Sequence, residues 1–597
     1  MDDVAEQLDR AIALVDQGDL AAADSLCEEI CSAEPEQPGA YYLRGLIAYQ
    51  SGGIDAAVDL LKKAEELGAE ESGLKRALAA ILLASKEYDA AAARYRDLLS
   101  AGALNEGDAS SLAELGEGYR QSGLLGSAVE WFSRSRALNP NANPAVAGLF
   151  LCGQLACDWR ERTELEAGVE ALTKAALDAH QVPVEDPFVH ITRSMESVAN
   201  HAVARAWCRP LLVDTVAYAD REPGKELIRL GYLSSDFHEH ATAYLMHRLF
   251  ALHDRDQFEV YAYSCEPGDG SEIRKRLETE CDSFVDVAGW PAERAASSIA
   301  DDKIDILIDL KGHTRKNRLD IAARRPAPLQ ITYLGFPGTS GADFFDYVVA
   351  DSIVLPENDW QHYSETPLLM PHCYQINSHT RLGDPMSRGE VGLPESGTVF
   401  CSFTNTYKIE PIMFASWMKI LESVSDSVLW LCVNNALAEE NLKREAEAHG
   451  VDAERLIFAP FVDQETHLRR LSLADLALDT RIYNGHTTTS DALWAGVPVL
   501  TVRGRHFASR VSESILAAIG LEELVSEDLD AFERRAVDIA SDDAQSPALK
   551  AKIAAARAAA PLFDTPRFVA NFERGLAEIW RKYAAREDPA PIILTDT

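Results

Sequence analysis

The hydrophobic pattern of the first 140 residues repeats itself. Gly18-Asp-Leu20-Ala-Ala22-Ala23, Gly52-Gly-Ile54-Asp-Ala56-Ala57, Lys86-Glu-Tyr88-Asp-Ala90-Ala91 and Gly123-Leu-Leu125-Gly-Ser127-Ala128 follow one another at steps of 34, 34 and 37 residues. Each block is a short turn, then a small residue where two helices must approach closely, then a larger apolar one. Upstream of two of the turns stand Leu43-Arg-Gly45 with Tyr49 and Leu115-Gly116 with Tyr119, and Pro140 closes the last unit. A helix pair of this size cannot bury its apolar face alone. The pattern therefore predicts stacked pairs forming a superhelix with a concave groove, a surface that holds peptides or serves as a dimerisation arm.

Beyond residue 146 the pattern changes twice. Residues 146–225 read as helices, with Trp159 and Trp207 as packing aromatics; Cys157-Asp158-Trp159 reads as core more readily than as a motif. After Glu222-Pro-Gly, apolar runs of strand length alternate with helical stretches: Leu227–Ser235, Phe258–Ser264, Ile304–Leu310, Leu329–Gly335 and Phe344–Asp351. A second series follows at Thr398–Phe403, Ser427–Val433, Leu456–Phe461, Leu476–Thr480 and Val497–Val502. Such alternation predicts mostly parallel sheets covered on both faces, and two successive series predict two Rossmann-like lobes with a ligand cleft beyond their strand ends. The last helix, about Asp564 to Tyr583, carries Phe568, Phe572, Leu576, Ile579 and Trp580 on one side and should pack back across the lobes. The tail after Arg586 is expected to be disordered. The predicted domains are thus 1–145, a helical array of about four repeats; 146–225, a helical linker; 226–395 and 396–560, the two lobes; and 561–597, helix and tail.

Composition adds one strong constraint. Of 597 residues, 95 are Asp or Glu against 57 Lys or Arg, a net charge of -38. The first 150 residues hold 25 acidic against 12 basic side chains, a net of -13. So acidic a surface repels nucleic acid and anionic membranes. It serves solubility, or it suits a basic or neutral protein partner. The ten cysteines lie mostly in apolar segments; Cys27 and Cys31 sit four apart in a helical pattern, but no second pair follows at metal-ligand spacing. The N-terminus lacks a signal-peptide pattern and no stretch of about twenty apolar residues occurs, so a reducing compartment, the cytoplasm, is the expected location.

Three elements could carry chemistry. Asn484-Gly485-His486-Thr487-Thr488-Thr489-Ser490-Asp491 follows the apolar run ending at Asp479-Thr480 and opens a helix, so free backbone N–H groups and a positive dipole end sit at a strand tip. This could hold a diphosphate without metal, although the same order is also that of an ordinary capped helix. Tyr407-Lys408-Ile-Glu-Pro411 follows the first strand of the same lobe; its lysine is either solvated surface or a counter-charge for a departing nucleotide. Ser234-Ser235-Asp236-Phe237-His238-Glu239-His240-Ala-Thr242 lies at the tip of the other lobe's first strand, where His240 or His238 could move a proton near neutral pH.

The repeat at 1–145 resembles the tetratricopeptide repeat, most clearly in its second and fourth units. The runs GYLSSDFHEHATAYLM, RRPAPLQITYLGFPGTSGADFFDYVVAD, TYKIEP, THLRRLSLADLALDT and YNGHTTTSDALWAGVPVLT, with Cys157-Asp158-Trp159, resemble the O-GlcNAc transferase family in one order across roughly residues 150–585. The resemblance implies an α-helical repeat superhelix followed by an α/β GT-B fold. It implies a protein O-glycosyltransferase that moves GlcNAc from UDP-GlcNAc to Ser/Thr with inversion, without metal or other cofactor. By the same resemblance His240 is the active-site histidine and Lys408 the lysine on the donor diphosphate. His486, Thr487 and Thr488 form the phosphate-binding turn, Asp491 is the carboxylate on the ribose, and His467 and Arg470 surround the uracil. Leu334 and Gly335 line the sugar. Asn405 stands where the family has a glutamine near the nucleotide, and Gln464 where the animal enzyme has a lysine.

The segment Asp302 to Thr314 looks more like the SPINDLY branch, which uses GDP-fucose. That branch lacks a histidine at the position of His486 and differs at Pro337-Gly338-Thr339-Ser340-Gly341. The donor lobe therefore favours a UDP-GlcNAc-like donor. A relative transferring fucose, or a nonulosonic acid to flagellin, is the alternative within enzymes; a repeat scaffold without catalysis is the alternative outside them, and an epimerase of free sugars is disfavoured by the repeats. A protein acceptor in the repeat groove, flagellin among the candidates, and a nucleotide-sugar donor are the expected partners, with a homo-oligomer admitted. The proton acceptor is His240, a donor phosphate oxygen or a water chain. Asp254-Arg-Asp256 and Asp528-Leu-Asp530 do not end apolar strands, so no metal requirement is expected.

Overall fold

The computed structural model describes residues 2–69, 72–140, 143–216, 227–379, 382–384 and 386–596. It divides into two compact units, Met1–Gly153 with Arg160–Val169, and Gln154–Trp159 with Glu170–Thr597. The end of the repeat array expected at residue 145 is therefore not where the compact units part. Residues 217–225 of the expected linker, including Glu222-Pro-Gly, lie outside the described residues.

The first unit contains four helix pairs, Asp2–Asp16 with Leu20–Ala33, Pro38–Gln50 with Ile54–Glu66, Ser72–Ala84 with Tyr88–Ser100, and Ala109–Gln121 with Leu125–Leu138. Each pair is joined by a turn whose second-last link has left-handed backbone: Gly18, Gly52 and Gly123 at φ of 80°, 82° and 78°, and Lys86 at 62°. Ala23, Ala57, Ala91 and Ala128, the small residues five places on, are all wholly buried. They are the points of closest helix approach that the repeated pattern demanded. Gly118 serves the same end between pairs, because a Cβ there would collide with the ring of Tyr88.

In the second unit an eight-stranded sheet runs in the order β14-β7-β6-β5-β4-β1-β2-β3 and a six-stranded sheet in the order β10-β9-β8-β11-β12-β13. The strands are β1 Ile228–Ser234, β2 Phe258–Ser264, β3 Ser283–Asp286, β4 Ile306–Asp309, β5 Leu329–Thr332, β6 Tyr347–Asp351, β7 Thr366–Met370, β8 Thr398–Ser402, β9 Ser427–Cys432, β10 Leu456–Ala459, β11 Leu476–Leu478, β12 Val499–Val502, β13 Val525–Ser526 and β14 Ile592–Ile593. All pairings are parallel. The central strands are buried along their whole length, as two-sided helix cover requires. In each sheet the chain reverses its direction of travel once, between β1 and β4 and between β8 and β11. Ligands of such sheets bind beyond the strand ends at these reversals.

The lobes are braced to each other by polar contacts, one buried and one half-buried. Ser514 Oγ donates to Asp351 Oδ2 at 2.6 Å, and Arg510 Nη1 pairs with Asp359 Oδ2 at 2.7 Å. The final helix, Thr565–Ala584, is capped by Asp564 and returns from the second lobe to the first. There Phe572 packs on Tyr333 at 5.2 Å and Glu573 accepts from the backbone of Asp254 at 2.7 Å. The tail after Arg586 is ordered, contrary to expectation: Ile592 and Ile593 add β14 to the edge of β7, and Asp596 binds Arg567, Asn571 and His372.

Candidate functional site

Of the residues expected to carry chemistry, Lys408 and the His486–Thr488 turn lie at the second lobe's reversal point and His240 at the first lobe's. Beyond β8, Lys408 closes a 3₁₀ turn Thr406–Lys408 and is buried. Its Nζ donates to the carbonyl of Asn484 at 2.8 Å and lies 4.2 Å from the centre of the Tyr483 ring. Burial pushes its pKa down to about 7, with Asp479 opposing. Beyond β11, Gly485 lets the chain fold tightly: its N–H donates to Asp479 Oδ1 at 2.7 Å, and a Cβ there would collide with Thr489. His486 then precedes the helix Thr487–Ala495. Its Nδ1 lies 3.1 Å from the Asn484 carbonyl, which only accepts, so Nδ1 carries the proton and Nε2 is left an acceptor. Burial and the Lys408 charge hold this imidazole neutral, its pKa well below the usual range. Two buried atoms here, His486 Nε2 and Thr488 Oγ1, have no hydrogen-bond partner among the described residues. Buried polar atoms in a native fold are nearly always paired, so orphans beside a helix N-terminus and a buried lysine mark a place built for a ligand.

Four residues further on, Asp491 is buried and shared. His379 Nε2 approaches its Oδ1 at 3.0 Å, Gln464 Nε2 its Oδ2 at 3.3 Å, and His467 Nε2 stands at 3.9 Å. A cavity of about 250 Å³ opens at this point, lined from the second lobe by Gln464, Glu465, Leu468, Thr487 and Asp491 and from the first by Tyr244, Leu245 and His247, with Ser378 and His379 between. Arg470 is turned into its own lobe: Nη1 donates to the Pro460 carbonyl at 2.6 Å and the guanidinium lies 5.1 Å from the Phe403 ring. Phe403 in turn meets His467 at 5.6 Å. Asn405 is exposed at the start of the Lys408 turn.

Across the cavity His240 caps the short helix Ala241–Met246, whose Tyr244 and Leu245 line it. His240 and Lys408 themselves stand outside that lining. The His240 side chain is 42% exposed, and its Nδ1 is 3.4 Å from Asp236 Oδ2. Burial lowers its pKa, Asp236 raises it, and Lys311 and His238 lower it. The His238 ring lies edge-on at 5.7 Å. Beyond β5, Leu334 takes a left-handed backbone at φ 68° and Gly335 follows. A Cβ on Gly335 would collide with the Leu310 carbonyl oxygen, so glycine is needed where the exits of β4 and β5 press together.

Lys408 is thus brought to the turn of His486, Thr487 and Thr488, and Asp491 to His467, while His240 stands on the facing lobe, Leu334 and Gly335 follow β5, Arg470 packs within its own lobe and Asn405 is exposed. Sequence reasoning passed over several participants. Asp236 and Lys311 form a buried ion pair at 2.7 Å beneath His240. His379 binds Asp491 from a loop after β7 that carries no strand or helix signal, and Asp479 receives Gly485. Asp309, ending β4, was readable as the last residue of an apolar run; burial, with Asp236 nearby, pushes its pKa up to about 6. Among the described residues, no group of three or more His, Cys, Asp or Glu is arranged to hold a metal ion. No helix among them is long and apolar enough to cross a membrane.

Residues 171–387 and 385–572 match the model of Glycosyl transferase family 41. A protein of Arabidopsis thaliana named as a probable UDP-N-acetylglucosamine–peptide N-acetylglucosaminyltransferase SEC is 35% identical over 73% of this chain and 47% of its own. The UDP-N-acetylglucosamine–peptide N-acetylglucosaminyltransferase of Caenorhabditis elegans is 28% identical over 72% of this chain and 48% of its own. The chain spans about half the length of these curated relatives. Among solved structures, a Thermobaculum terrenum O-GlcNAc transferase mutant is 25% identical, with a TM-score of 0.64 over 98% of each chain.

Proposed function

The chain belongs to glycosyl transferase family 41, and on that premise we propose that it transfers a sugar, GlcNAc from UDP-GlcNAc, to Ser or Thr hydroxyls of a protein, with inversion and without metal. The observation that carries this reading is the cationic turn at the second lobe's reversal point. A buried lysine, the open N-terminus of a nine-residue helix and two orphaned buried atoms sit together there, beside a cavity walled by both lobes.

In this reading Lys408 and the N–H groups of Thr487 and Thr488 take the charge that grows on the leaving diphosphate. Each such contact is typically worth about a hundredfold or more in turnover. His486 presents an acceptor nitrogen, suited to a sugar or ribose hydroxyl rather than to a phosphate oxygen. Asp491, oriented by His379 and Gln464, accepts from the ribose, while His467 packed on Phe403 flanks the base and Asn405 stands at the rim. Leu334 and Gly335 wall the sugar. His240 receives the proton of the acceptor hydroxyl, which attacks the anomeric carbon from the face opposite the nucleotide. The acceptor protein lies in the groove of the helical repeats, flagellin being one acceptor of fitting kind, and the cytoplasm is the compartment proposed for the reaction.

The reading is tested with nucleotides and a chelator. UDP should raise the melting temperature, whereas GDP and CMP at equal concentration should not. Release of UDP from UDP-GlcNAc should persist in EDTA and gain nothing from manganese. Selective protection by GDP would replace the donor with a guanosine sugar. Protection by none of the three would remove the transferase reading and leave a repeat scaffold.

A further inference from the structure

We propose that Asp236, gripped by Lys311, is the positioning residue that sets the tautomer of His240; this deepens the transferase reading and rests on it. His240 Nδ1 stands at a fork. On one side the backbone N–H of Thr242 donates to it at 3.2 Å, the hydrogen bond the structure shows at that nitrogen, and on the other Asp236 Oδ2 lies within ion-pair range at 3.4 Å. The two require opposite protonation. Accepting from Thr242 puts the neutral ring's proton on Nε2, where the ring can only donate. Donating to Asp236 frees the Nε2 lone pair for a proton from the acceptor hydroxyl.

The carboxylate that decides between these states cannot turn away. Lys311 Nζ donates to both its oxygens, at 2.7 and 2.8 Å, and the pair is buried. Thr242 Oγ1 donates to Oδ2 at 3.3 Å and Ser235 Oγ to Oδ1 at 3.4 Å. Lys311 is fixed in its turn, because its own N–H and that of Gly312 donate to Asp309 Oδ2 at 3.3 and 2.6 Å. The ion pair thus ties the ends of β1 and β4, the two strands flanking the reversal point, directly beneath the imidazole. The charged and titratable groups facing the ring are Asp236 and His238 from the β1 loop and Lys311 from the β4 loop. Glu239, next in the chain, is exposed, with its N–H on Asp269.

Lys311 has a second consequence. A lone carboxylate beside a histidine favours the imidazolium and would use up the base before substrate arrives. Neutralised by Lys311, Asp236 keeps its geometry as an acceptor without that cost. In the step itself the hydroxyl proton passes to His240 Nε2 as the acceptor oxygen bonds to the anomeric carbon. The bond from that carbon to the diphosphate breaks, its electron pair leaving with the phosphate. The imidazolium so formed keeps its Nδ1–H on Asp236. The logic is that of an orienting carboxylate behind a catalytic histidine, whose replacement by an amide in serine hydrolases costs about 10⁴-fold.

The test uses the full-length chain, with UDP-GlcNAc and water as acceptor. D236N should lower kcat by about a hundredfold, within the usual worth of acid–base catalysis, leave UDP affinity within threefold, and move the acidic limb of the pH profile down. K311M should move that limb up by about one pH unit, and D236E should recover part of the D236N loss. Limbs that coincide with the wild type in both variants, or a D236N kcat within threefold of it, would overturn the proposal. ¹⁵N shifts of labelled histidine in the free protein read the tautomer without any turnover. Above pH 7.5 His240 should carry its proton on Nδ1 in the wild type and on Nε2 in D236N; Nε2 protonation in the wild type would equally overturn it. A wild type that binds no UDP counts against the transferase reading instead, and leaves the shift experiment standing.

Discussion

Lys408 is a buried cation with no carboxylate in contact among the described residues: a carbonyl and an aromatic face hold it, and burial draws its pKa from the ordinary 10.5 down to about 7. Two consequences follow, and their signs differ. On the function proposed above, the ammonium meets the diphosphate, so kcat/KM for the donor should fall as pH rises through about 7 in the free enzyme. Bound diphosphate favours the charged form, so the corresponding limb of kcat should lie higher. For stability, native and unfolded lysine are both charged below pH 7, and the full cost of burying the charge is present there. Between 7 and 10.5 the unfolded state binds more protons, so stability rises with pH across that window. K408M should therefore be inactive yet more stable than the wild type, by on the order of 2 kcal/mol at pH 6, with the gain vanishing near pH 10. Thermal melts of both proteins across that range check it, and a gap that widens with pH would refute the account. The lysine could be singled out because it follows the first strand of its lobe, with solvated surface as the other reading, and its role on the donor came from the family resemblance. The lysine's partner was not legible: the acceptor is the backbone of Asn484, brought in by the fold 76 residues away, and no side-chain pattern encodes a carbonyl.

Elements were legible where their signal is periodic and local. The four turns repeat in sequence and the structure gives each the same left-handed residue, but only three of them are glycine. Lys86 at φ 62° bears the steric cost that Gly18, Gly52 and Gly123 avoid. K86G should stabilise the third helix pair by about 0.5–1 kcal/mol, the relief of left-handed strain less the entropy glycine loses on folding. A91L, overfilling a wholly buried contact, should cost about 1–3 kcal/mol. Hydrogen exchange in the helices 72–84 and 88–100 reads both changes, slower in the first variant and faster in the second; protection moving the same way in both would sink this reading of the repeat. Ten strands lay within their apolar runs, whereas β3, β7, β13 and β14 were missed. β3 is only half-buried and ends in Asp286, β7 contains Pro367, and β13 and β14 are two residues each, too short for any alternation to show. The ordered tail is the clearest case. Ile592-Ile593 becomes a strand because β7 offers an edge to pair with, and Asp596 because Arg567 and Asn571 await it on the last helix. Both partners are tertiary.

At the scale of the whole molecule, charge and connectivity divide the work differently. A net charge of -38 repels a nucleotide diphosphate at long range, so capture of the proposed donor would rest on the local turn at Lys408 and on whatever holds that turn in place. Part of that support comes from a distant stretch of chain. Residues 154–159 lie between two segments of the first unit yet belong to the second. There the carbonyl of Leu155 accepts from Thr406 Oγ1 at 2.8 Å and from Asn435 at 3.2 Å. That of Ala156 accepts from Asn441 at 2.8 Å, and Trp159 packs on Phe414 at 5.4 Å. Thr406 opens the turn that ends in Lys408, so one of this plug's three hydrogen bonds, each worth about 1 kcal/mol, bears on that turn directly, and the others with the aromatic contact hold the helices beside it. Shortened chains separate the plug from the repeats. One beginning at Gln154 should bind UDP within threefold of the full-length protein while losing transfer to a protein acceptor. One beginning at Glu170 should bind UDP at least tenfold more weakly and melt earlier. Calorimetry with UDP decides the matter: equal losses in the two chains would assign the support to the repeats, and no loss in either would leave the Lys408 turn self-sufficient.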